Sequence, residues 1–243
     1  MNPSTSSAAG PTRVALVTGA SRGLGRALTA DLVRAGWRVI VDARDACRLA
    51  AAVAAIDGGN DLVIQVPGDV ADPRHRLDLA AAVADAGGLD LLVNNASVLG
   101  PSPQPPLAEY PLSTLEQVFA VNTIAPLALF QLVLPHLRPG ACIVNVSSDA
   151  AVEAYEGWGG YGSSKSALDQ VTAIIGAENV ALRVYAFDPG DMNTDLHQQA
   201  FPGDDISDRA SPESVTPGLL RLIAGDLPSG RYRGIDVKLE APL

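Results

Sequence analysis

The feature that most constrains this chain is an alternation: short, continuously apolar, β-branched runs separated by longer Ala/Leu-rich stretches. Strand-like runs fall at 13–18 (RVALVT), 38–41 (RVIV), 61–66 (DLVIQV), 89–94 (LDLLVN), 141–147 (ACIVNVS) and 181–187 (ALRVYAF). Helix-like segments lie near 23–35, 45–56, 73–86, 112–137, 161–178 and 212–224. A half-exposed strand alternates apolar and polar residues; these runs do not, which is the pattern of strands covered on both faces. Repeated β-α units of this kind predict an α/β fold, a doubly wound parallel sheet of about seven strands with helices on both faces. Nothing marks a second domain, so residues 13–243 are expected to form one unit behind a polar, flexible leader at 1–12.

Composition narrows the function classes. Of 243 residues, 47% are hydrophobic and 18% charged, enough to build a core and too little charge for a disordered chain. A formal net charge of -10 repels phosphate backbones and anionic lipid surfaces, so neither nucleic acid nor a membrane is an expected partner. No apolar run approaches the roughly 18 to 20 residues of a spanning helix, and the opening MNPSTSSAAGPTR lacks an export signal; a cytoplasmic protein is expected. Cys47 and Cys142 are too few for a disulfide framework. His75, His136 and His197 are scattered without ligand spacing, so packing or surface roles, and no metal, are expected.

Two motifs carry chemistry. TGASRGLG, residues 18–25, follows the first strand and opens the first helix, the place where a Rossmann-type sheet binds a dinucleotide. Gly19, Gly23 and Gly25 remove Cβ atoms from a tight turn, so the N–H groups around Ser21, Arg22 and Leu24 can meet a pyrophosphate. The spacing G-x-x-x-G-x-G is one residue wider at the front than the G-x-G-x-x-G pattern. The second motif is Tyr161-Gly-Ser-Ser-Lys165, with Ser148 thirteen residues before the tyrosine. Residues four apart share a helix face, so Lys165 can sit beside the Tyr161 hydroxyl and stabilise a phenolate, making a general acid or base, while Ser148 can donate to the same substrate oxygen.

These pieces occur in one order with NNA at 94–96, Asn122 in a long helix, and Pro189-Gly190 after the sixth strand. In that conjunction the chain resembles the short-chain dehydrogenase/reductase family, in its roughly 250-residue single-domain branch, from Arg13 to Val237. The resemblance implies a catalytic tetrad of Asn122, Ser148, Tyr161 and Lys165. In it Tyr161 donates the proton, Ser148 positions the carbonyl, Lys165 lowers the tyrosine pKa and holds the nicotinamide ribose, and Asn122 anchors a water. It also implies cofactor contacts from Asp69 and Val70, from Asn95 and Ala96, and from the run Pro189, Gly190, Met192 and Thr194. Departures are Ser97 where a glycine is usual, Tyr185 in the sixth strand, and Asp188 before Pro-Gly. NNASVLG and EGWGGYGSSKSALD give some similarity to the sepiapterin-reductase branch, although the position of that branch's substrate-anchoring acid aligns with Gly234.

The expected activity is NADPH-dependent hydride transfer between nicotinamide and a small-molecule carbonyl or alcohol, by a homodimer or homotetramer. A non-catalytic dinucleotide-binding sensor is the alternative. NADPH is favoured because Ala43 falls at the position where an NADH-selecting acid would stand, Arg44 follows it, and Asp42 should face the other side of the strand. Arg22 would approach the 2′-phosphate from the other flank. Asp149, Tyr155 and Trp158, between Ser148 and Tyr161, are the candidate substrate contacts, and 191–214 is a candidate lid.

Overall fold

In the computed structural model, which describes residues 12–237, seven parallel strands form one sheet in the order β3-β2-β1-β4-β5-β6-β7. They are β1 (Val14–Val17), β2 (Arg38–Val41), β3 (Val63–Gln65), β4 (Leu89–Asn94), β5 (Leu137–Val146), β6 (Arg183–Asp188) and β7 (Gly230–Arg233). The helices are α1 (Gly23–Arg34), α2 (Ala46–Ala54), α3 (Gly59–Leu62), α4 (Pro73–Asp85), α5 (Leu112–Phe119), α6 (Ala125–Val133), α7 (Gly159–Glu178), α8 (Asp195–Ala200) and α9 (Pro212–Ala224). Most of the leader, residues 1–11, lies outside the described residues.

The continuous apolar runs behave as expected of doubly covered strands. In β1, Ala15 and Val17 face one core layer, with Leu28 and Leu32 of α1, while Val14 and Leu16 face the other, with Leu79 and Val83 of α4. Local sequence places several helix starts: Asp45 and Asp72 accept from the N–H groups of Arg48 and Arg74, and Ser211 caps α9 ahead of Pro212. The chain order reverses direction between β1 and β4, so the crevice at their carboxyl ends is open to a ligand.

Four local expectations are corrected. Residues 61–62 close the one-turn α3 that follows Gly58, whose φ is +73°, so the third strand starts only at Val63. Strand β5 begins at Leu137, paired with Leu89 ahead of a register shift. The stretch 112–137 is not one regular helix: a π-helical segment at Ala120–Ile124 separates α5 from α6, and Pro126 sits harmlessly in the first turn of α6. Within that stretch, Leu112–His136, an 18-residue window has mean hydropathy 1.8, long and apolar enough to span a bilayer, against the expectation that no run approaches that length. Here Leu129, Phe130 and Val133 pack into the core beside α4, which is the behaviour of a buried helix.

Candidate active site

The carboxyl ends of the strands surround one open cavity of about 230 Å³. One end of it is made by the Gly-rich turn. Helix α1 starts without a side-chain cap on Arg22 and without an acid in its first turn, and its first internal bond is from the Arg26 N–H to the Arg22 carbonyl. The preceding N–H groups are therefore open to an anion, and Ser21, Arg22, Gly23 and Leu24 all line the cavity. Gly19 has φ +68°, and a Cβ there would come within 2.9 Å of the Ala96 Cα; the turn is stacked directly on the loop after β4. Gly25 does a different job from the one expected. It stays out of the cavity wall, because a Cβ on it would meet the Asn95 amide at 2.5 Å and the Gly19 carbonyl at 2.6 Å; it permits packing, not cofactor contact.

Asp42 is 1% exposed, and its Oδ1 accepts from the Gly19 N–H at 2.7 Å while Oδ2 lies 3.1 Å from His75 Nε2. Burial raises its pKa, opposed by those two partners. The carboxylate is thus committed to holding the Gly-rich turn from below. Arg44, exposed, lines the cavity together with Ala43 and Asp42, all three just beyond the end of β2 at Val41. Asp69 and Val70 line the same end. Asn95 and Ala96 line it too, with the Asn95 amide donating to the carbonyls of Thr18 and Gly19, a structural tie. Arg22 is less free than expected: it pairs with Asp195 at the start of α8, which also attracts Arg48 at 3.7 Å.

The other end belongs to β5, α7 and the loop after β6. Ser148, Tyr161 and Lys165 line it together. The nearby hydroxyls of Ser97 and Ser148 act to lower the Tyr161 pKa, yet burial prevails and pushes it up to about 12. Lys165 is 1% exposed, its Nζ 5.6 Å from the Tyr161 ring centre and donating to the Val146 carbonyl at 2.7 Å. Burial lowers its pKa to about 8, partly offset by Asp169. The expectation that the lysine pulls the tyrosine downward is therefore not met in the chain alone: desolvation is the larger effect, and the two serine hydroxyls oppose it. At neutral pH the tyrosine keeps its proton.

Asn122 is held by the protein at every position of its side-chain amide. It lies in the π-helical segment, fully buried, with Oδ1 accepting from the Val98 N–H (2.9 Å) and the Ser97 hydroxyl (3.2 Å) and Nδ2 donating to the Val98 carbonyl (2.9 Å) and Ser164 Oγ (3.0 Å). All four positions of the amide are filled, so its side chain holds no water. It instead fastens the loop after β4 to α7, next to Tyr161. A second buried chain, Asn94 to Asn145 to Thr172 at 2.8 and 2.7 Å, locks β4, β5 and α7 beneath.

Pro189, Gly190, Met192 and Thr194 line the cavity as expected, and Thr194 also caps α8. Of the three substrate candidates, Asp149 and Trp158 line it, and Trp158 packs edge-on against Tyr161 at 5.8 Å. Tyr155 does not: it is 45% exposed and donates from its hydroxyl to Asp149 Oδ2 at the rim. The Ser148 hydroxyl donates to Asp149 Oδ1 at 3.0 Å. Residues the sequence left without a role here are Ser97, a departure that turns out to touch Tyr161, and Leu196 and His197, which line the cavity from α8. No catalytic motif marked α8; its side chains reach the site because the segment after β6 folds back, with Phe201 5.9 Å from Trp158. Among the described residues no cluster of histidine, cysteine and acids could hold a metal.

The short chain dehydrogenase family model matches residues 13–205. A rhamnolipid-biosynthesis 3-oxoacyl-(acyl-carrier-protein) reductase of Pseudomonas aeruginosa is 35% identical over 73% of this chain and 72% of its own. A short chain dehydrogenase of Shigella flexneri, solved with NADP, superposes with TM-score 0.85 at 26% identity over 92% of this chain and 97% of that one. One from Escherichia coli, solved with NADPH, gives 0.85 at 27% over 91% and 96%. Nothing in these relatives singles out the sepiapterin-reductase branch. With its sheet order, its uncapped Gly-rich turn and its serine, tyrosine and lysine on one cavity wall, this chain belongs to the short-chain dehydrogenase/reductase family of oxidoreductases.

Proposed function

We propose that the protein is an NADPH-dependent carbonyl reductase acting on small-molecule carbonyls, or on the corresponding alcohols in reverse. The observation that carries this is the joining, in one cavity, of an anion-accepting helix start with a buried, protonated Tyr161. The residues fit the cofactor: the open N–H groups of α1 suit a pyrophosphate, Arg44 suits a 2′-phosphate, and Asp42, the acid that would repel it, is turned under the Gly-rich turn. When bound, NADPH supplies the hydride.

The chain's own part is orientation and proton transfer. Ser148 and Tyr161 present two hydroxyls to one point, where they hold a carbonyl oxygen; Tyr161 then gives that oxygen its proton. The positive charge of Lys165 beside the ring stabilises the phenolate left behind. Trp158 and Leu196 shape an apolar wall and keep water from the reacting carbon. Apolar side chains exposed on α5 (Leu112), beside α6 (Ile124) and on α7 (Ile174) support a homo-oligomer.

The test is consumption of NADPH against a panel of ketones, quinones, imines and pterins, with NADH in parallel. Turnover with at least one carbonyl and a higher kcat/KM for NADPH is expected. Tight NADPH binding without turnover on any of them would favour a sensor.

A further inference from the structure

We propose that Arg231, on edge strand β7 and beyond the segment the family model matches, is a positioning residue for the proton-transfer site, fixing the end of β5 and the loop after β6 as one frame. This rests on the hydride-transfer reading above. The guanidinium serves three acceptors: Nε donates to Asp169 Oδ2 at 3.0 Å, and Nη2 donates to Asp188 Oδ2 and to the Ser148 carbonyl, each at 2.9 Å. Asp188 Oδ1 in turn accepts from the Gly190 N–H at 3.0 Å, so the same cation reaches the Pro189-Gly190 turn through one carboxylate.

Three consecutive residues at the end of β5 are thereby gripped. Lys165 holds the Val146 carbonyl, Arg231 holds the Ser148 carbonyl, and between them Asp169 faces Ser147. The Ser147 hydroxyl and Asp169 Oδ1 have no partner in strict hydrogen-bond geometry, but they lie close enough for the hydroxyl to hold the carboxylate's pKa down. Asp169 stands one helical turn beyond Lys165 on α7. A lysine at 231 could supply the charge but not the planar fork that meets all three acceptors.

The frame is also electrostatic. Titratable groups converge on Tyr161 and Lys165 from α7 (Asp169), the turn after β5 (Asp149), β6 (Asp188) and β7, whose Arg231 acts through Asp169. Asp169 raises the Lys165 pKa against burial; Asp169 itself is raised by burial and held down by Ser147, Arg231 and Lys165. Without Arg231, Asp169 loses both a cation that holds its pKa down and the donor that fixes it near Lys165; removing the Asp169 charge itself, as in Asp169→Asn, takes away the group that raises the lysine's pKa and lets it fall below about 8.

The experiment compares kcat, KM and the kcat–pH profile of the full-length protein with NADPH and its best carbonyl substrate, in wild type, Arg231→Gln, Arg231→Lys and Asp169→Asn. Arg231→Gln should lower kcat by roughly 10- to 100-fold, the cost of a small misplacement, with much less change in KM for NADPH. Arg231→Lys should recover part of kcat. Asp169→Asn, which leaves the Ser148 carbonyl held, should displace the alkaline limb of the profile to lower pH with a smaller loss of kcat. An unchanged kcat in Arg231→Gln, or an Arg231→Lys variant no more active than Arg231→Gln, would overturn the proposal; if Arg231→Gln does not fold, an unmoved limb in Asp169→Asn does the same. Wild-type inactivity on every carbonyl would overturn the hydride-transfer reading and this proposal together, whereas wild-type activity with unmoved variants overturns this proposal alone.

Discussion

The two ends of the cavity are built by different means. At the β1–β4 end, recognition is mainly a property of backbone: an uncapped helix start, a glycine turn and a carbonyl-amide tie to Asn95. At the β5–β7 end it is a property of side chains brought from far apart, with Ser97, Ser148, Tyr161 and Lys165 lining one wall and Arg231 reaching past β6 to the Ser148 carbonyl. A backbone device is compact in sequence and intolerant of added atoms. A side-chain device is spread along the chain, and it tolerates change in shape while failing on loss of a functional group.

The largest expected effect lies at the side-chain end. Tyr161→Phe removes one oxygen that nothing else in the described residues can replace, so kcat should fall by roughly 10²- to 10⁴-fold, the contribution of a general acid. NADPH affinity should stay near wild type, since the other end of the cavity is untouched. Single-turnover kinetics with a parallel binding titration separates the two quantities. Near-normal turnover would mean that proton transfer does not run through this hydroxyl.

At the backbone end the matching perturbation adds an atom. Gly25→Ala places a Cβ 2.5 Å from the Asn95 amide and 2.6 Å from the Gly19 carbonyl. Only the amide can move aside, so the variant should lose about 1 to 3 kcal/mol of stability and bind NADPH more weakly through a distorted turn. Thermal unfolding with and without NADPH measures both. Full stability would show that the turn has slack the structure does not suggest.

The same contrast explains what the sequence disclosed. The Gly-rich turn was legible because its chemistry occupies eight adjacent residues, and Tyr161 with Lys165 because a helix turns spacing into adjacency. Strands β1, β2, β4, β5 and β6 were legible from their apolar runs. Strand β7 was not: Gly230–Arg233 is a polar GRYR on the sheet edge, half-buried, and carries no apolar signature. The saturation of Asn122 could not be foreseen either, because its four partners come from the loop after β4 and from α7, and a π-helical segment aims it at them. Gly25 illustrates the converse: its presence was legible, but its purpose depends on Asn95, seventy residues away in sequence.

Cofactor choice tests the β1–β4 end with a smaller effect. Arg44 faces the cavity without an acidic partner among the described ion pairs, and a charge-assisted contact to a 2′-phosphate contributes about 1.5 to 3 kcal/mol. Arg44→Ala should therefore cut the NADPH preference in kcat/KM by roughly 10- to 100-fold, leaving NADH use almost unchanged. An NADH preference already present in wild type would mean that Asp42 leaves the Gly19 N–H and turns to the ribose once cofactor binds.

The smallest effect is expected where the two ends touch. Asp195, at the start of α8, pairs with Arg22 and lies 3.7 Å from Arg48, so the candidate lid engages cations that the cofactor's phosphates would also attract. All three side chains are about half exposed, and such pairs are worth about 0 to 1 kcal/mol in water. If the carboxylate competes with the cofactor, Asp195→Asn should tighten NADPH binding by no more than about five-fold, and the gain should fade at high salt, where exposed charges are screened. Hydrogen exchange over 191–214 should rise in the same variant without ligand, because the tie from α8 to Arg22 is gone while the Trp158–Phe201 contact remains. Weaker NADPH binding would reverse the sign of the coupling: Asp195 would then be holding Arg22 and Arg48 in place for the phosphate, and lid closure and cofactor binding would favour each other.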